Sequence, residues 1–135
     1  MSKYPPWQLR IYGGTQDASE DHQRPQTPGP LRISFERALA NLEQLPRMFV
    51  ELDGSFLWPG EGWQFEGTVY DDGLVVRYVH LIGNGPLAAW TDFLAALDES
   101  FTTISVELLD LQATVDGECL KQKIAIDDTH EKPVD

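Results

Sequence analysis

Apolar and polar residues alternate along residues 48–58, at the start of the most strongly patterned part of the chain. The alternation predicts a half-buried strand over this stretch, with Gly54 as a bulge or close-packing point. A hairpin with a two-residue turn at Asp53-Gly54 is the alternative. It would place Leu52 opposite Ser55 and Glu51 opposite Phe56, which mixes polar and apolar residues on each face, so we favour one strand.

Two further strands are predicted over residues 63–70 and 74–82, joined by Asp72-Gly73. Asp-Gly favours a type I′ hairpin turn, because both central positions of that turn need a positive φ. Such a turn sets Phe65 opposite His80. A slip of one residue would scramble the apolar face, so the pattern predicts a well-specified register.

The third predicted strand is apolar on both of its faces, which is typical of a central strand that is covered twice. Helices can cover one face, which includes Val76 and Ile82. The other face carries Val75, Val79 and Leu81. We therefore predict that a second copy of the chain covers these three residues in a homodimer.

Helical spacing of apolar residues predicts one helix over residues 35–45 and another over 87–97. Ser34 can cap the first helix and Pro46 ends it, while Pro86 suits the first turn of the second. We expect both helices on one face of the sheet.

A C-terminal hairpin is predicted from strands over residues 102–115 and 118–126, which flank Asp116-Gly117. The apolar parity shifts at Leu108-Leu109, which predicts a bulge or sharp bend there. Residues 127–135 are polar and are expected to form a disordered tail.

The N-terminal segment, residues 1–30, alternates over residues 7–12, which predicts a strand. The pattern leaves open whether that strand joins the sheet. Residues 13–30 have almost no apolar side chains and three prolines, so we expect a mobile linker.

These elements predict an α+β fold in two layers, with a single domain over residues 31–126. Its antiparallel sheet would contain a three-stranded meander and the C-terminal hairpin, with two helices packed on one face. The element order, size and acidity resemble those of type III secretion chaperones, which are dimeric binding proteins. The resemblance covers residues 31–126 at the level of topology, and the terminal third helix of that family is not predicted here.

The chain of 135 residues is strongly acidic, with a net charge of −12. Residues 48–118 alone hold thirteen acidic side chains and a single basic one, Arg77. A nucleic-acid binder needs a cationic face, so we exclude nucleic acids and anionic membranes as partners. A membrane span, a signal peptide and an intramolecular disulfide are not expected either, because no long apolar run is present and Cys119 is the only cysteine. A cytoplasmic setting is therefore predicted.

Catalytic motifs and metal-ligand spacings are missing from the sequence, so we predict no catalytic residues, no metal site and no cofactor. His80 is the one titratable side chain in the patterned region that could act as a base. The aromatic residues of the meander are interpreted as core packing or as a contact surface. The candidate binding residues are Trp58, Trp63, Tyr78, His80, Glu51, Asp53 and Glu66.

Three functions remain open from the sequence. The first is an acidic, cytoplasmic protein-binding or adaptor domain that forms a homodimer. The second is a small enzyme or small-molecule binder with a pocket between helix and sheet near His80. The third is an acidic inhibitor or immunity-type protein that presents Glu51, Asp53 and Glu66 to a basic partner.

Overall fold

The computed structural model describes residues 6–14, 29–31, 33–97 and 104–131, with the backbone alone described for 127–131. Seven strands and three helices lie within these ranges. In chain order they are β1 (Trp7–Gly13), α1 (Phe35–Glu43), β2 (Phe49–Val50), β3 (Ser55–Pro59), β4 (Gln64–Asp71), β5 (Val76–Asn84), α2 (Leu87–Leu97), β6 (Ile104–Leu108), β7 (Ala113–Asp116) and α3 (Gly117–Glu131).

All seven strands form one antiparallel sheet in the order β2-β3-β4-β5-β1-β6-β7. The first strand in the sequence is thus in the interior of the sheet, between β5 and β6. Leu9 of β1 lies between Leu81 and Leu108, and Ile11 lies between Val79 and Val106. An α+β fold is confirmed, but the sheet is larger than the predicted one.

One hydrophobic core lies between the sheet and the helices. Alternate strand residues enter it from the sheet, and apolar stripes enter it from all three helices. Burying a large apolar side chain of this kind contributes about 1.5–3 kcal/mol to folding. The fully buried side chains that fill the centre are Trp90, Phe65, Phe93, Leu9, Ile11, Leu42, Leu81 and Leu94.

Helices α1 and α2 begin where local sequence signals place them. The Ser34 hydroxyl accepts a hydrogen bond of 3.1 Å from the backbone N–H of Arg37, which satisfies a free donor of the first turn. Helix α1 ends at Glu43, three residues before Pro46. Helix α2 follows Pro86, whose carbonyl accepts from the N–H groups of Ala89 and Trp90.

The single strand predicted over residues 48–58 is wrong, because a hairpin occupies this stretch. Phe49 pairs with Leu57 and Val50 with Phe56. The turn spans four residues, 51–54, rather than two, and Gly54 takes a φ of +96°. Five residues separate Val50 from its partner Phe56, so the mixing of polar and apolar residues that argued against a hairpin with a two-residue turn does not arise.

The predicted register of the next two strands is also wrong. Phe65 pairs with Gly83, and His80 pairs with Thr68. The turn extends over residues 72–75, where the Asp72 carboxylate accepts from the N–H groups of Leu74 and Val75. An irregularity between Tyr70 and Asp71 adds a further residue, so the total shift is three residues.

Backbone hydrogen bonds with a distant segment lie at the start of β5, which begins at Val76 rather than at residue 74 as predicted. The carbonyl of Leu74 accepts from Phe35, and Val76 exchanges backbone hydrogen bonds with Leu31 and Ile33. A shift by an odd number of residues turns every side chain of a strand to the opposite face. Val79 and Leu81 are therefore buried under the helices, where they cannot form the predicted dimer surface.

The C-terminal hairpin also differs from the prediction. Strands β6 and β7 form it, and its turn lies at residues 109–112, at the predicted bend. The Asp116 carboxylate accepts a 2.7 Å hydrogen bond from the N–H of Cys119, so Asp116-Gly117 starts helix α3 instead of a turn. Helix α3 continues to Glu131, through part of the tail that was predicted to be disordered.

The helical layer thus contains three helices in the described residues instead of the two that were predicted. Residues 15–28 of the predicted linker lie outside the described residues. In the described part of the chain, none of the helices has the length and apolar character needed to cross a membrane.

Candidate functional site

The side of the sheet that faces away from the helices is here called the open face. Strand residues on this side alternate with the core residues, and none of the described helices covers them. An antiparallel sheet often keeps one face on the core and the other toward water. The open face includes Gln8, Arg10, Tyr12, Leu57, Glu66, Thr68, Tyr70, Tyr78, His80, Ile82, Ser105 and Glu107.

Three tyrosines from three different strands contact one another on the open face, and we call them the tyrosine cluster. The ring centroids of Tyr12 and Tyr78 are 5.4 Å apart. The rings of Tyr70 and Tyr78 are stacked, with centroids 4.8 Å apart. Aromatic pairs at such distances stabilise each other beyond the area that they bury. The cluster is therefore a patch of mutually packed rings in which Tyr70 still has 43% of its surface exposed.

Arg10 borders the tyrosine cluster. Its guanidinium carbon lies 5.8 Å from the centre of the Tyr78 ring, within the range of a cation–π interaction. Nη1 of Arg10 lies 4.0 Å from Oε1 of Glu107, on the neighbouring strand β6. A hydrogen bond with Tyr12, and to a smaller extent the charge of Glu107, raises the pKa of Arg10 above its ordinary value. Several neighbours thus hold this charged group in place.

His80 lies in the same part of the open face, paired with Arg10 on one side and Thr68 on the other. It is half-buried by these neighbours. His80 lies on the open face, which points away from the helices, so a pocket between a helix and the sheet cannot include it. This geometry gives no support to the alternative hypothesis of a helix–sheet pocket near His80.

Exposed apolar side chains form a second part of the open face. One cross-strand row runs from Phe49 through Leu57 and Glu66 to Ile82. All three apolar members of this row are exposed to solvent, and Ile82 keeps 43% of its surface accessible. Exposed apolar side chains that lie in register on a sheet are typical of a contact surface.

The other predicted binding residues are divided between the core and a turn. Trp58 is buried, and its indole N–H donates to the carbonyl of Pro46 at 2.8 Å. Trp63 packs edge-on against Trp58 at 4.9 Å. Trp58 is thus part of the core, and the half-buried Trp63 packs against it. Glu51 and Asp53 lie in the β2–β3 turn, whereas Glu66 lies on strand β4.

Asp53 shapes the turn in which it lies. Its Oδ1 accepts from the backbone N–H of Ser55 at 3.0 Å and from the Ser55 hydroxyl at 2.7 Å. These two hydrogen bonds favour the carboxylate and lower the pKa of Asp53. The group is fully solvent-exposed, so its role is local order rather than catalysis.

Sequence reasoning missed Arg10, Tyr12 and Tyr70. The alternation over residues 7–12 does place Arg10 and Tyr12 on one face of the strand, which was a usable signal. Arg10 and Tyr12 become part of a site only because β1 lies beside β5 in the sheet. This neighbourhood brings the ring of Tyr12 into contact with the ring of Tyr78.

Within the described residues, histidine, cysteine and carboxylate side chains do not gather into a group of three or more that could hold a metal ion. Comparison with models of protein families, with curated proteins and with solved structures found no match. The resemblance in element order to secretion chaperones thus has no support from these comparisons, and the geometry of the open face has to carry the functional argument.

Proposed function

We propose that this chain is an acidic protein-binding domain and that its partner binds the open face of the sheet. One observation carries the proposal: the open face presents the tyrosine cluster beside a row of exposed apolar side chains, and none of the described elements covers them. A cytoplasmic setting is part of the proposal, and it depends on the single cysteine.

The chemistry of the tyrosine cluster suits protein binding. A tyrosine side chain offers a large apolar ring and a hydroxyl, and it has few rotatable bonds to freeze on binding. Tyrosine and arginine are enriched among the residues that dominate binding energies at interfaces. Ring contacts and the Arg10–Glu107 pair already order these side chains, so a partner would lose little free energy in immobilising them.

A heterologous partner is favoured over a homodimer. Two of the three residues of the predicted dimer surface, Val79 and Leu81, are buried, so a homodimer through the sheet would use the open face, with two copies related by a two-fold axis. Each copy carries a net charge of −12, and repulsion between like charges opposes such an arrangement. The homodimer is therefore the second candidate.

Site-specific photocrosslinking in cells that express the chain tests this proposal. The crosslinker p-benzoylphenylalanine is placed at Tyr70, on the open face, or at Ala95, which is exposed on α2. We expect a discrete crosslinked protein from position 70 and none from position 95. Substituting Tyr78 by alanine should then weaken binding of the purified partner at least about tenfold, as expected for an interface hot spot.

Two outcomes would overturn the proposal: no crosslink at position 70, or the same products from positions 70 and 95. A crosslink between two copies of the chain would instead support the homodimer, and sedimentation of the wild-type chain at micromolar concentration would check it.

A further inference from the structure

A groove separates helix α1 from the β2–β3 turn, on a part of the molecule that the open face does not include. Its volume is about 380 Å³. Helix α1 contributes Phe35, Leu39 and Ala40 to its lining, and the hairpin contributes Val50 and Leu52. The groove therefore has a largely apolar floor that is open to solvent.

Three carboxylates border this apolar floor. Glu36 and Glu43 lie on the same side of α1, two helical turns and about 10 Å apart along the axis. Glu51 stands across from them on the hairpin. All three are exposed, and none of the residues that line the groove is basic. Both walls of the groove are thus lined by negative charges only.

Leu52 stands at the tip of the turn with 94% of its surface exposed. Its position is fixed by its neighbours rather than by its own packing. Asp53 accepts two hydrogen bonds from Ser55, and the N–H of Gly54 donates to the Glu51 carbonyl at 3.0 Å. Gly54 has a φ of +96°, and a Cβ at this position would meet the Val69 carbonyl and the Phe35 ring, so the turn requires glycine there.

Folding leaves 94% of the Leu52 surface exposed, so almost all of its apolar area remains available to be buried against a partner. Leu52 therefore has the properties of a preformed anchor for a partner. Because the anchor and the apolar floor lie between carboxylates, the complementary ligand carries apolar side chains along its centre and positive charges at its flanks.

We propose that the groove between α1 and the β2–β3 turn docks a short amphipathic segment of a partner protein, with lysine or arginine on either side of an apolar stripe. The apolar stripe packs on Leu39, Val50 and Leu52, and the basic side chains pair with Glu36, Glu43 and Glu51. An anionic lipid surface or a second copy of this acidic chain would meet repulsion at the same place. Together with the open face, the groove makes the chain an adaptor with two docking surfaces.

Selection from a display library of random short peptides tests the proposal, with the purified chain as bait. We expect the enriched peptides to combine apolar residues with lysine or arginine. Their affinity, measured by fluorescence anisotropy, should fall about tenfold or more in Leu52→Ser, as for loss of an interface anchor. It should fall by a similar factor in the triple variant Glu36→Gln/Glu43→Gln/Glu51→Gln, and it should decrease with added salt.

One control variant is matched to Leu52→Ser, and a second is matched to the triple glutamine variant. Leu74 is also an exposed leucine in a hairpin turn, with 77% of its surface accessible, so Leu74→Ser should bind like the wild type. The variant Glu61→Gln/Asp92→Asn/Asp110→Asn removes the same net charge at exposed positions away from the groove and should retain most of the affinity. Circular dichroism confirms that each variant is folded.

Failure to enrich any peptide would overturn the proposal. So would enriched peptides without basic residues, equal binding to Leu52→Ser and wild type, or an equal loss in both triple variants, because the last result would mean that the overall charge, not the groove, attracts the peptide.

Discussion

The two faces of the sheet are built from the same strands, yet they differ in what they contribute. Leu81 and Ile82 are neighbours on β5, but Leu81 is fully buried under the helices and Ile82 keeps 43% of its surface exposed on the open face. The same alternation separates Leu9 from Arg10 on β1. The covered face stabilises the fold, and the open face is available to a partner.

The chemistry of the two faces differs accordingly. Aliphatic residues and phenylalanine dominate the covered face, where a polar group would need an internal partner. Tyrosine, arginine, histidine and glutamate are frequent on the open face, where most polar side chains keep access to water. Side chains with an apolar body and a polar end can remain exposed in the free protein and still bury area in a complex. This comparison predicts how substitutions on the two faces should differ.

The largest effect is expected from the neighbouring pair on β5. Leu81→Ala should lower the free energy of unfolding by about 2–5 kcal/mol, because it leaves a cavity in the core. Ile82→Ala should cost about 1 kcal/mol or less, because its side chain is partly solvated already. Urea denaturation of the two variants measures both values. Equal losses would mean that the open face is covered in the free protein, and the comparison of the faces would then be wrong.

A smaller effect is expected within the tyrosine cluster. Tyr78 contacts the rings of Tyr12 and Tyr70, so Tyr78→Ala should lower the free energy of unfolding by about 1 kcal/mol, as is typical of cross-strand aromatic pairs. Tyr70→Phe keeps the stacked ring and serves as the control, with stability close to that of the wild type. A loss as large as that of Leu81→Ala would assign Tyr78 to the folding core and argue against its role in binding.

The smallest effect is expected in the turn at residues 72–75, between β4 and β5. The length of this turn contributes to the register of β5, and the register decides which residues of that strand face the helices. Hydrogen bonds from the N–H groups of Leu74 and Val75 lower the pKa of Asp72. A carboxyl group with a lowered pKa in the folded state stabilises the fold above its unfolded pKa of about 3.9. That contribution is lost as the pH falls from about 4 through the lowered value.

Asp72→Asn should therefore be slightly less stable than the wild type at neutral pH, and the difference should shrink as the pH falls below about 4. Thermal unfolding across this range measures it. Asp92→Asn, at an exposed position on α2, is the control and should run parallel to the wild type. A difference between wild type and Asp72→Asn that does not depend on pH would show that the turn does not require the carboxylate.

The three Asp-Gly pairs of the chain show how far a local motif can be trusted. Asp53-Gly54 lies in a hairpin turn where the alternation favoured a strand. Asp72-Gly73 lies in a turn, but one that is two residues longer than predicted. Asp116-Gly117 begins a helix. In each case the aspartate accepts hydrogen bonds from nearby backbone N–H groups, and that interaction suits a turn and a helix start equally.

The candidate site could be predicted only in part. Tyr78, His80 and Glu66 were named from the sequence and do lie on the open face, although Tyr78 and His80 were expected on the apolar side. Trp58 and Trp63 belong to the core, which their aromatic character alone could not distinguish from a contact surface. Arg10 and Tyr12 gain their neighbours from strands about 70 residues away in the chain, so no local pattern could assign them.

The sequence by itself determined the α+β class, the start of helix α1 at Ser34, the range of α2 and the core face of β4. These features depend on hydrogen bonds and side-chain spacing within one or two turns of chain, so a short window of residues contains the information. The tertiary structure alone decided that β1 enters the sheet beside β5, and that Leu31, Ile33 and Phe35 bond to Leu74 and Val76 at the start of β5, whose register differs from the predicted one by three residues. Both depend on hydrogen bonds between distant segments, and an odd shift in register then exchanges the buried and exposed faces of an entire strand.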